Sequence, residues 1–277
     1  MQQLGKIINP HDLRGARLKR NTLTAGIVAA YNPNIFPGGG TLYDRAGVNN
    51  GTITGATWAA DARMGYVLNL GTTANQYYVN CGASVADFVD QADFTLSAWL
   101  LPILPTGYST IIGKGDYRIA GYYVYIHTDG KCRITINELG SNQTLYQTTN
   151  FAFDGLWHHL ACVRSAGVGY MYLDGRLNGS GALNLNIDTA AAYDLLIGHH
   201  GSGYYAGSMG EVCIFNRALS AAEIGLLYAD PIGSIWDVGE EDWGYAPAEE
   251  AAGSVSVAIG GGLRLGGARV LVGGRLG

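Results

Sequence analysis

Residues 207–220 read GSMGEVCIFNRALS, and this stretch carries the clearest structural signal in the chain. The run EVCIF has the apolar and β-branched character of a buried strand. The stretch ends at Ser220, a residue type that caps helix N-termini, and Glu223 three residues later completes a capping-box pattern. The sequence here therefore predicts a core strand followed by one short helix over residues 220–228.

Short strand-like runs also recur through the preceding two hundred residues at roughly regular intervals, a pattern typical of an all-β sandwich or barrel. The Asp-Gly dipeptides at 129–130, 154–155 and 174–175 predict tight hairpins, because Gly accepts positive φ. The runs are IVAAYN, TITGATW, YVLNL, YYVNC, FTLSAWLLP, STIIG, YYVYIHT, CRITINE, TLYQTT, WHHLACVR, YMYLDG, DLLIG and EVCIF.

The composition agrees with an all-β protein and excludes several other classes. Glycine accounts for 42 of 277 residues, about twice its usual share, and only 14% of the side chains are charged. Because 48% of the residues are hydrophobic, the chain has enough apolar surface to offset the entropy of ordering, which excludes a disordered chain. The net charge of −5 offers no broad attraction for nucleic acid, and no apolar run is long enough for a membrane-spanning helix. We therefore expect no nucleic-acid partner and no membrane insertion.

Composition divides the chain into four segments. They are a basic arm (1–24), a β domain (25–230), an acidic and aromatic linker (231–253) and a tail of glycine doublets and Arg-apolar runs (254–277). The two ends carry opposite charge, which predicts contacts with neighbouring chains. We assign those contacts to Arg14, Arg17, Arg20, Trp236, Trp243, Arg264, Arg269 and Arg275. Copies of a short-strand tail would remove each other's exposed edges, so we expect a homo-oligomer and prefer a trimer over dimers or larger rings.

The cysteines Cys81, Cys132, Cys162 and Cys213 are widely spaced and match no zinc pattern. Three of them lie in strand-like runs, which predicts buried free thiols; two disulfides are the alternative for a secreted chain. Residues 1–20 lack the apolar segment of a secretory signal, so we expect synthesis in a reducing cytoplasm.

Several motifs, taken in order, resemble the laminin-G-like, concanavalin A-type jelly roll. They are FTLSAWL from Phe94, STIIGK from Ser109, WHHLA from Trp157, YMYLDG from Tyr170 and the block 207–220. The resemblance covers residues 25–230 and implies two antiparallel sheets packed face to face, with Trp99 and Trp157 as core anchors. It also implies that His158 and His159 are structural. Because neighbours in a strand point to opposite faces, these two histidines cannot easily ligate one metal.

Residues 25–31, 41–47 and 50–58 are similar to laminin-G-like proteins encoded among tailed-phage virion genes. This resemblance implies a non-enzymatic structural protein of the virion, made in the host cytoplasm and held by other virion proteins through both termini. The first alternative is a carbohydrate-binding adhesin for host-surface glycans, and the second is a concanavalin-like glycoside hydrolase.

Relatives of this kind bind sugars or proteins through one face and the rim loops. Aromatic side chains suit such contacts because they provide large area at low entropy cost. We assign ligand binding to one predicted rim loop, which contains His199, His200, Tyr204 and Tyr205. The pairs 77–78 and 122–123 are also both tyrosine, and one member of each strand pair is expected to face the core.

The sequence supports no assignment of metal ligands or catalytic residues. The family often binds calcium beside an acidic pair in the closing strand, but here the pair is Gly210-Glu211, so one carboxylate is missing. We assign no cofactor, and a calcium ion at the rim stays an open alternative. The acidic residues at 240–242 lack the final glutamate of a glucanase pattern and lie in the predicted linker.

Overall fold

A computed structural model describes residues 17–237, except residues 48, 152, 189, 191, 202 and 232–233. Within this region the chain forms two large antiparallel sheets that pack face to face, together with one short helix. This confirms the all-β jelly-roll sandwich predicted from the sequence. The predicted tail, most of the predicted linker and most of the arm lie outside the described residues, so the four-segment division stays a prediction.

The strands of the described residues are two to nine residues long, and the helix follows the last long strand. In chain order, the elements are β1 (Arg17–Leu18), β2 (Ile27–Tyr31), β3 (Thr41–Leu42), β4 (Gly51–Thr54), β5 (Thr57–Asp61), β6 (Gly65–Asn69), β7 (Tyr78–Asn80), β8 (Phe94–Pro102), β9 (Ser109–Asp116), β10 (Ala120–Ile126), β11 (Cys132–Glu138), β12 (Ser141–Tyr146), β13 (His158–Ser165), β14 (Val168–Leu173), β15 (Arg176–Ala182), β16 (Leu196–Ile197), β17 (His199–His200), β18 (Gly203–Tyr204), β19 (Gly207–Phe215), α1 (Ala221–Ala229) and β20 (Trp236–Asp237).

The strand order of each sheet mixes distant parts of the chain. The first sheet runs β12-β11-β10-β9-β16-β7-β4-β3, and the second runs β15-β14-β13-β8-β19-β6-β5, with β2 also paired to β19. The two long central strands of the second sheet, β8 and β19, are neighbours although more than one hundred residues separate them. Two short pairs, β1–β20 and β17–β18, lie outside both sheets.

Alternation along the strands places the main core between the two sheets. In β8, Phe94, Leu96, Ala98 and Leu100 all belong to this core, while the residues between them point away from it. The inward side chains of β10 and β11 meet them from the first sheet. Full burial of such large apolar side chains contributes about 1.5–3 kcal/mol each, so this layer provides most of the stability.

The outer side of the second sheet is also buried along β8, β13 and β19, where α1, Leu23 and Trp236 cover the outward side chains. We call this surface the covered face. Trp99 points to this side and stacks on Tyr228 of α1, with ring centroids 5.7 Å apart. Trp99 and Trp157 are therefore buried as predicted, but in a small cluster outside the main core.

The helix begins as the sequence predicts. Ser220 is the N-cap of α1, its hydroxyl accepts the backbone N–H of Glu223, and the Glu223 carboxylate accepts the N–H of Ser220. Hydrogen bonds from Arg217 lower the pKa of Glu223 to about 2, so this carboxylate stays ionised. Ile224 and Leu227 are buried against the covered face.

Two of the three predicted Asp-Gly hairpins are confirmed. Asp174 and Gly175 have φ of 50° and 74° and join β14 to β15, and the pair at 129–130 lies between the paired strands β10 and β11. The prediction for 154–155 is wrong, because these residues lie between β12 and β13, which belong to different sheets.

The ends of the described region pack on the domain. Leu18 pairs with Trp236 in the β1–β20 ladder, and the Trp236 side chain is fully buried. Trp236 falls in the predicted linker and is predicted to contact neighbouring chains, but its indole completes the covered face of this chain instead. All four cysteines are buried and free, as predicted. Among the described residues, no helix has the length and apolar character needed to cross a bilayer.

Candidate functional site

The outer side of the first sheet carries the β17–β18 hairpin and is otherwise partly exposed along β3, β4, β7 and β12, and we call it the open face. Paired residues of adjacent strands share a face, so one register row crosses the whole sheet. The row contains Thr41, Thr52, Asn80, Leu196, Gly113, Tyr123, Thr135 and Thr144. These side chains are mostly hydroxyls, amides and one tyrosine, unlike the aliphatic side chains of the core.

The β17–β18 hairpin lies directly on this row. A Cβ atom added to Gly113 would stand 2.6 Å from the Cβ of His200, and one added to Gly203 would stand 2.8 Å from the hydroxyl of Thr110. These glycines are required for space, because real Cβ atoms do not approach other atoms so closely. The missing side chains let the hairpin rest against β9.

The hairpin joins a row of aromatic rings on the open face. His200 stacks on Tyr123 with centroids 4.2 Å apart, and His199 stacks on Tyr204 at 4.1 Å. Tyr78 of β7 stands 5.3 Å from His199. The rings are held in position by the sheet and by each other, which leaves little entropy to lose when a ligand binds.

The aromatic row continues across β10 towards the β8–β9 connection. Tyr123 lies 5.3 Å from Tyr125, and the Tyr125 ring meets the exposed Tyr108 edge-on at 5.4 Å. Burial raises the pKa of Tyr123 to about 12, and burial also raises the pKa of Tyr125. Both phenols are therefore neutral and can donate a hydrogen bond at physiological pH.

In the part of the chain that the structure describes, two cavities open on this face, one on each side of β7. The β4–β7 cavity has a volume of about 540 Å³ and is lined by Asn49, Asn50, Thr52, Thr54, Tyr78, Asn80, Cys81 and Gly82. The β7–β9 cavity has a volume of about 320 Å³ and is lined by Tyr78, Asn80, Gly113, Gly115, Ala192, Tyr193, Asp194, Leu196, His199, His200 and Gly201. Tyr78 and Asn80 belong to both cavities and form the ridge between them.

The polar groups of the ridge are fixed by hydrogen bonds. Asn80 Nδ2 donates to the Asp194 carboxylate at 2.7 Å, and Asn80 Oδ1 accepts the N–H of Gly82 at 2.8 Å. The ammonium group of the buried Lys114 donates to the backbone carbonyls of Ala83 and Tyr193. Lys114 thereby ties the segment before Asp194 to the segment after β7.

His200 is uncharged at physiological pH. Burial beneath the stacked rings lowers its pKa to about 4, and the nearby Asp116 only partly opposes that effect. Its Nε2 atom is buried, so His200 contributes an uncharged aromatic ring to the open face rather than a hydrogen bond through that nitrogen.

Three of the four predicted ligand-binding residues lie on the open face. His199, His200 and Tyr204 form the short paired strands β17 and β18 rather than a rim loop. Tyr205 corrects the prediction: its side chain is fully buried in the main core, because successive residues of an extended segment point to opposite sides.

Sequence reasoning did not assign Tyr78 and Tyr123 to the site, although both lie at its centre. The available signal was the tyrosine pairs. As expected, Tyr122 of the second pair faces the core, where its hydroxyl donates to the carbonyl of Ala86, and Tyr123 faces outward. Which tyrosine faces out depends on the strand register, and a single sequence does not show the register.

The predicted assembly residues lie mostly outside the part of the chain that the structure describes. Arg20 is exposed, and Arg17 pairs with Asp237 through the backbone of β1. The remaining predicted residues Arg14, Trp243, Arg264, Arg269 and Arg275 lie outside the described residues. Trp236 is not available to a partner, since its side chain is buried within this chain.

The closing strand β19 does not fit a calcium site. Gly210 and Glu211 form a bulge opposite Trp99, and the buried Glu211 carboxyl accepts hydrogen bonds from Asn32 and from the Trp236 indole. Burial raises the pKa of Glu211 to about 8, so it is largely protonated at neutral pH. Calcium requires several ionised or carbonyl oxygens. In the described residues, no three His, Cys, Asp or Glu side chains come close enough to share a metal ion.

The WHH motif forms a structural network at the end of β13. His158 Nδ1 lies 2.8 Å from the Asp174 carboxylate, which also accepts the N–H of His159 at 2.9 Å. His159 points to the other side, where Nε2 lies 2.8 Å from the hydroxyl of Ser97. Asp174 thus holds the β14–β15 turn against β13.

The profile of the concanavalin A-like lectin/glucanases superfamily, in its laminin G form, matches residues 71–225 of this chain. The match spans more than half of the sequence, and it includes β7 to β19 and the β17–β18 hairpin on the open face.

Solved structures with the same fold include binding domains and domains of larger enzymes. Domain 4 of an extracellular arabinanase from Geobacillus stearothermophilus, in complex with arabinotriose, is 20% identical, with a TM-score of 0.58 over 73% of this chain and 98% of that one. The binding domain of Paraclostridial Mosquitocidal Protein 1 is 16% identical, with a TM-score of 0.57 over 75% and 52%. Trypanosoma rangeli sialidase is 17% identical, with a TM-score of 0.53 over 75% and 33%. This chain therefore spans about half of the toxin domain's length, and at these identities the likeness shows the fold alone.

Proposed function

The chain belongs to the concanavalin A-like lectin/glucanases superfamily, and we propose that it is a non-catalytic carbohydrate-binding protein that holds its ligand on the open face. The observation that carries this proposal is the row of aromatic rings beside two polar cavities. A sugar ring has an apolar face that packs on an aromatic ring and a rim of hydroxyls that need donors and acceptors. The open face supplies both within one surface.

The cavities also have the size and lining of a ligand site. Small-molecule sites usually measure about 300–1,000 Å³ and place a few polar groups among aromatic ones. Tyr78, His199 and His200 supply the rings here, and Asn80 with Asp194 supplies hydrogen-bonding groups that are already oriented. Prior orientation reduces the entropy lost on binding.

The small number of carboxylates beside the cavities favours a protein that binds its ligand without cleaving it. Hydrolysis of a glycosidic bond generally requires two carboxyl groups about 5–10 Å apart. Of the described residues that line the two cavities, Asp194 alone carries a carboxylate. Glu211 and Asp174 are engaged in the covered face and at the β14–β15 turn.

Two of the similar structures add support. The arabinanase domain was solved with arabinotriose, and the mosquitocidal toxin domain is named as a binding domain. Both descriptions concern those proteins, and we extend to this chain only the use of the sandwich as a binding platform.

The proposal is tested by screening the full chain on a glycan array and measuring positive ligands by calorimetry. We expect at least one carbohydrate to bind, with a large loss of affinity in Tyr78→Ala. Tyr117→Ala removes an equally large exposed side chain that lines neither cavity, and its affinity should match that of the unmodified chain. A blank array, or equal losses in both variants, would refute the proposal.

A second proposal concerns where the protein acts: it is displayed on a phage particle and anchored through its termini. Residues 1–20 are basic and residues 237–277 are acidic overall. Arg17 and Asp237 pair in β1–β20, so the chain enters and leaves the described region at the same place. One partner surface beside the β1–β20 pair would therefore suffice to hold the protein by both ends, and the carbohydrate-binding function is compatible with this role.

Deletion of residues 254–277 tests the second proposal. The shortened chain should remain folded and retain its glycan affinity, but it should no longer associate with particles. Full association of the shortened chain would contradict anchoring through the tail, and size measurements on both forms would test the expected trimer.

A further inference from the structure

The two cavities of the open face adjoin at Tyr78 and Asn80, and this arrangement bears on the length of the ligand. Strands β4 and β9 flank β7 and β16, so the lining of the two cavities spans three strand spacings. At about 4.8 Å per spacing this distance is about 14 Å, which exceeds the length of one sugar ring. Tyr78 and Asn80 stand between the cavities, where a chain passing from one to the other must touch them.

The hydrogen-bonding groups of the site are suited to hydroxyls. In the β4–β7 cavity they are the side chains of Asn49, Asn50, Thr52 and Thr54. Amide and hydroxyl groups both donate and accept, and so do sugar hydroxyls. These protein groups and the hydroxyls of a sugar can therefore hydrogen-bond to one another without any charge on the ligand.

The charge around the site disfavours an acidic ligand. Of the described residues that line the cavities, none is lysine or arginine, and Asp194 carries a negative charge. Lys114 is the cation of this region, but it is buried, and Asp87 and Asp194 act on its ammonium group. Asp116 adds a further negative charge near His200. A carboxylate or sulfate in either cavity would be repelled by Asp194, and no described lining residue offers a compensating cation. Arg133, beside Tyr125 on the same face, lines neither cavity and is ion-paired with Asp129.

Resting on the proposed function, we propose that the ligand is an uncharged oligosaccharide of at least two sugar units that crosses the ridge formed by Tyr78 and Asn80. The sugar rings stack on Tyr78 and the neighbouring histidine rings. The Asn80–Asp194 pair forms hydrogen bonds with the hydroxyls of the oligosaccharide. Sialylated, sulfated and uronic-acid glycans are excluded by the carboxylates.

A direct test compares neutral and acidic probes on the full chain. The neutral set is arabinotriose, xylotriose, cellotriose and maltotriose with their monosaccharides; the acidic set is sialyllactose, a sulfated disaccharide and a digalacturonate. We expect binding by at least one neutral trisaccharide, at least tenfold weaker binding by its monosaccharide, and no binding by the acidic set. The affinity should be the same at low and high salt, because no ion pair forms with the ligand.

Variants of the ridge separate the inference from the broader function. Asp194→Asn keeps the shape of the side chain but removes its charge, so affinity for the neutral trisaccharide should fall roughly tenfold, the usual cost of a charged hydrogen-bond partner. Asp194→Lys should admit an acidic probe that the unmodified chain rejects. Tyr117→Ala serves as the matched control outside the cavities.

The outcomes are distinguishable. Preferential binding of acidic glycans, or equal affinity for a monosaccharide and its trisaccharide, would overturn this inference and leave a carbohydrate-binding protein. No binding of any glycan, on the array or by calorimetry, would overturn the proposed function itself.

Discussion

The open face and the covered face are the two outer surfaces of one sandwich, yet the first is partly exposed and the second is buried. On the covered face, Trp99 stacks under Tyr228 of α1 and is 1% exposed. On the open face, Tyr123 stacks under His200, but only a two-stranded hairpin covers it and cavities open beside it. Aromatic stacking is common to both. The element that lies on top decides whether the rings stabilise the fold or face a ligand.

The two faces should therefore separate stability from binding. Substitutions on the covered face are expected to change the free energy of unfolding and leave glycan affinity unaltered in the folded fraction. Substitutions of outward side chains on the open face are expected to do the reverse. Single substitutions on both faces test this separation.

Trp236→Ala is expected to have the largest effect on stability. It removes a fully buried indole and the hydrogen bond that the indole donates to Glu211, at a cost of about 3–5 kcal/mol. Urea unfolding measures the loss. Leu226→Ala alters a side chain of α1 that is 54% exposed and should cost far less. Equal losses of unfolding free energy in the two variants would contradict the burial of Trp236 in the covered face.

Glu211 should make stability depend on pH. Its pKa is about 8 in the folded chain, against an ordinary value of 4.5, so the folded state holds a proton that the unfolded state has released. Glu211 alone is therefore expected to lower the free energy of unfolding by about 3 kcal/mol from pH 5 to pH 8. His159 and His200 act in the opposite direction over this range, because burial lowers the pKa of each to about 4. Burial is the main cause of the raised Glu211 pKa, and Asp230 adds to it, while Asn32, Trp236 and Cys213 act in the opposite direction.

Glu211→Gln isolates this contribution. The amide does not titrate, so the unfolding free energy of the variant minus that of the unmodified chain should rise by about 3 kcal/mol across the same pH range. Parallel curves for the two proteins would mean that Glu211 titrates normally. Glycan affinity should not follow this titration, because Glu211 lies on the covered face.

Gly113→Ala tests the contact between the hairpin and the sheet. The new methyl group would overlap His200, which is expected to cost about 1–3 kcal/mol and to displace the β17–β18 hairpin from the cavity. Both unfolding free energy and glycan affinity should decrease, which makes this position an exception to the separation. Gly107→Ala is the control, since a Cβ there has no neighbour within 4 Å.

Ser220→Ala should have the smallest effect of the set. It removes the hydroxyl that caps α1, at a cost of about 1 kcal/mol, without touching the open face. Ser220→Asp retains an acceptor and should recover most of the loss in a thermal unfolding experiment. A change in glycan affinity in either variant would show that the two faces are coupled.

Local patterns predicted much of the fold. The strand runs, the hairpins at 129–130 and 174–175 and the capping box of α1 depend on neighbouring residues, and each is confirmed. The dipeptide at 154–155 has the same composition but lies where the chain crosses between sheets. A turn signal marks a change of direction and does not identify the strands that it connects.

Three of the five aromatic rings of the site also follow from a local pattern. His199, His200 and Tyr204 form an aromatic cluster within six residues of the sequence. Tyr78 and Tyr123 join them only because β7, β16, β9 and β10 are adjacent in the first sheet. Tyr205 was misassigned because the side that a residue faces depends on register.

The sequence by itself determined an all-β domain, its helix start and its four buried thiols, because these follow from local periodicity, capping and burial preference. Its motifs in order also carried the resemblance to the laminin-G-like family. The tertiary structure alone decided which outer surface is sealed and which stays open. Trp236 reaches the covered face through its pairing with Leu18, and Tyr78 meets His199 across a sheet built from distant strands. Such contacts arise from strand order and register, which link residues far apart in the chain.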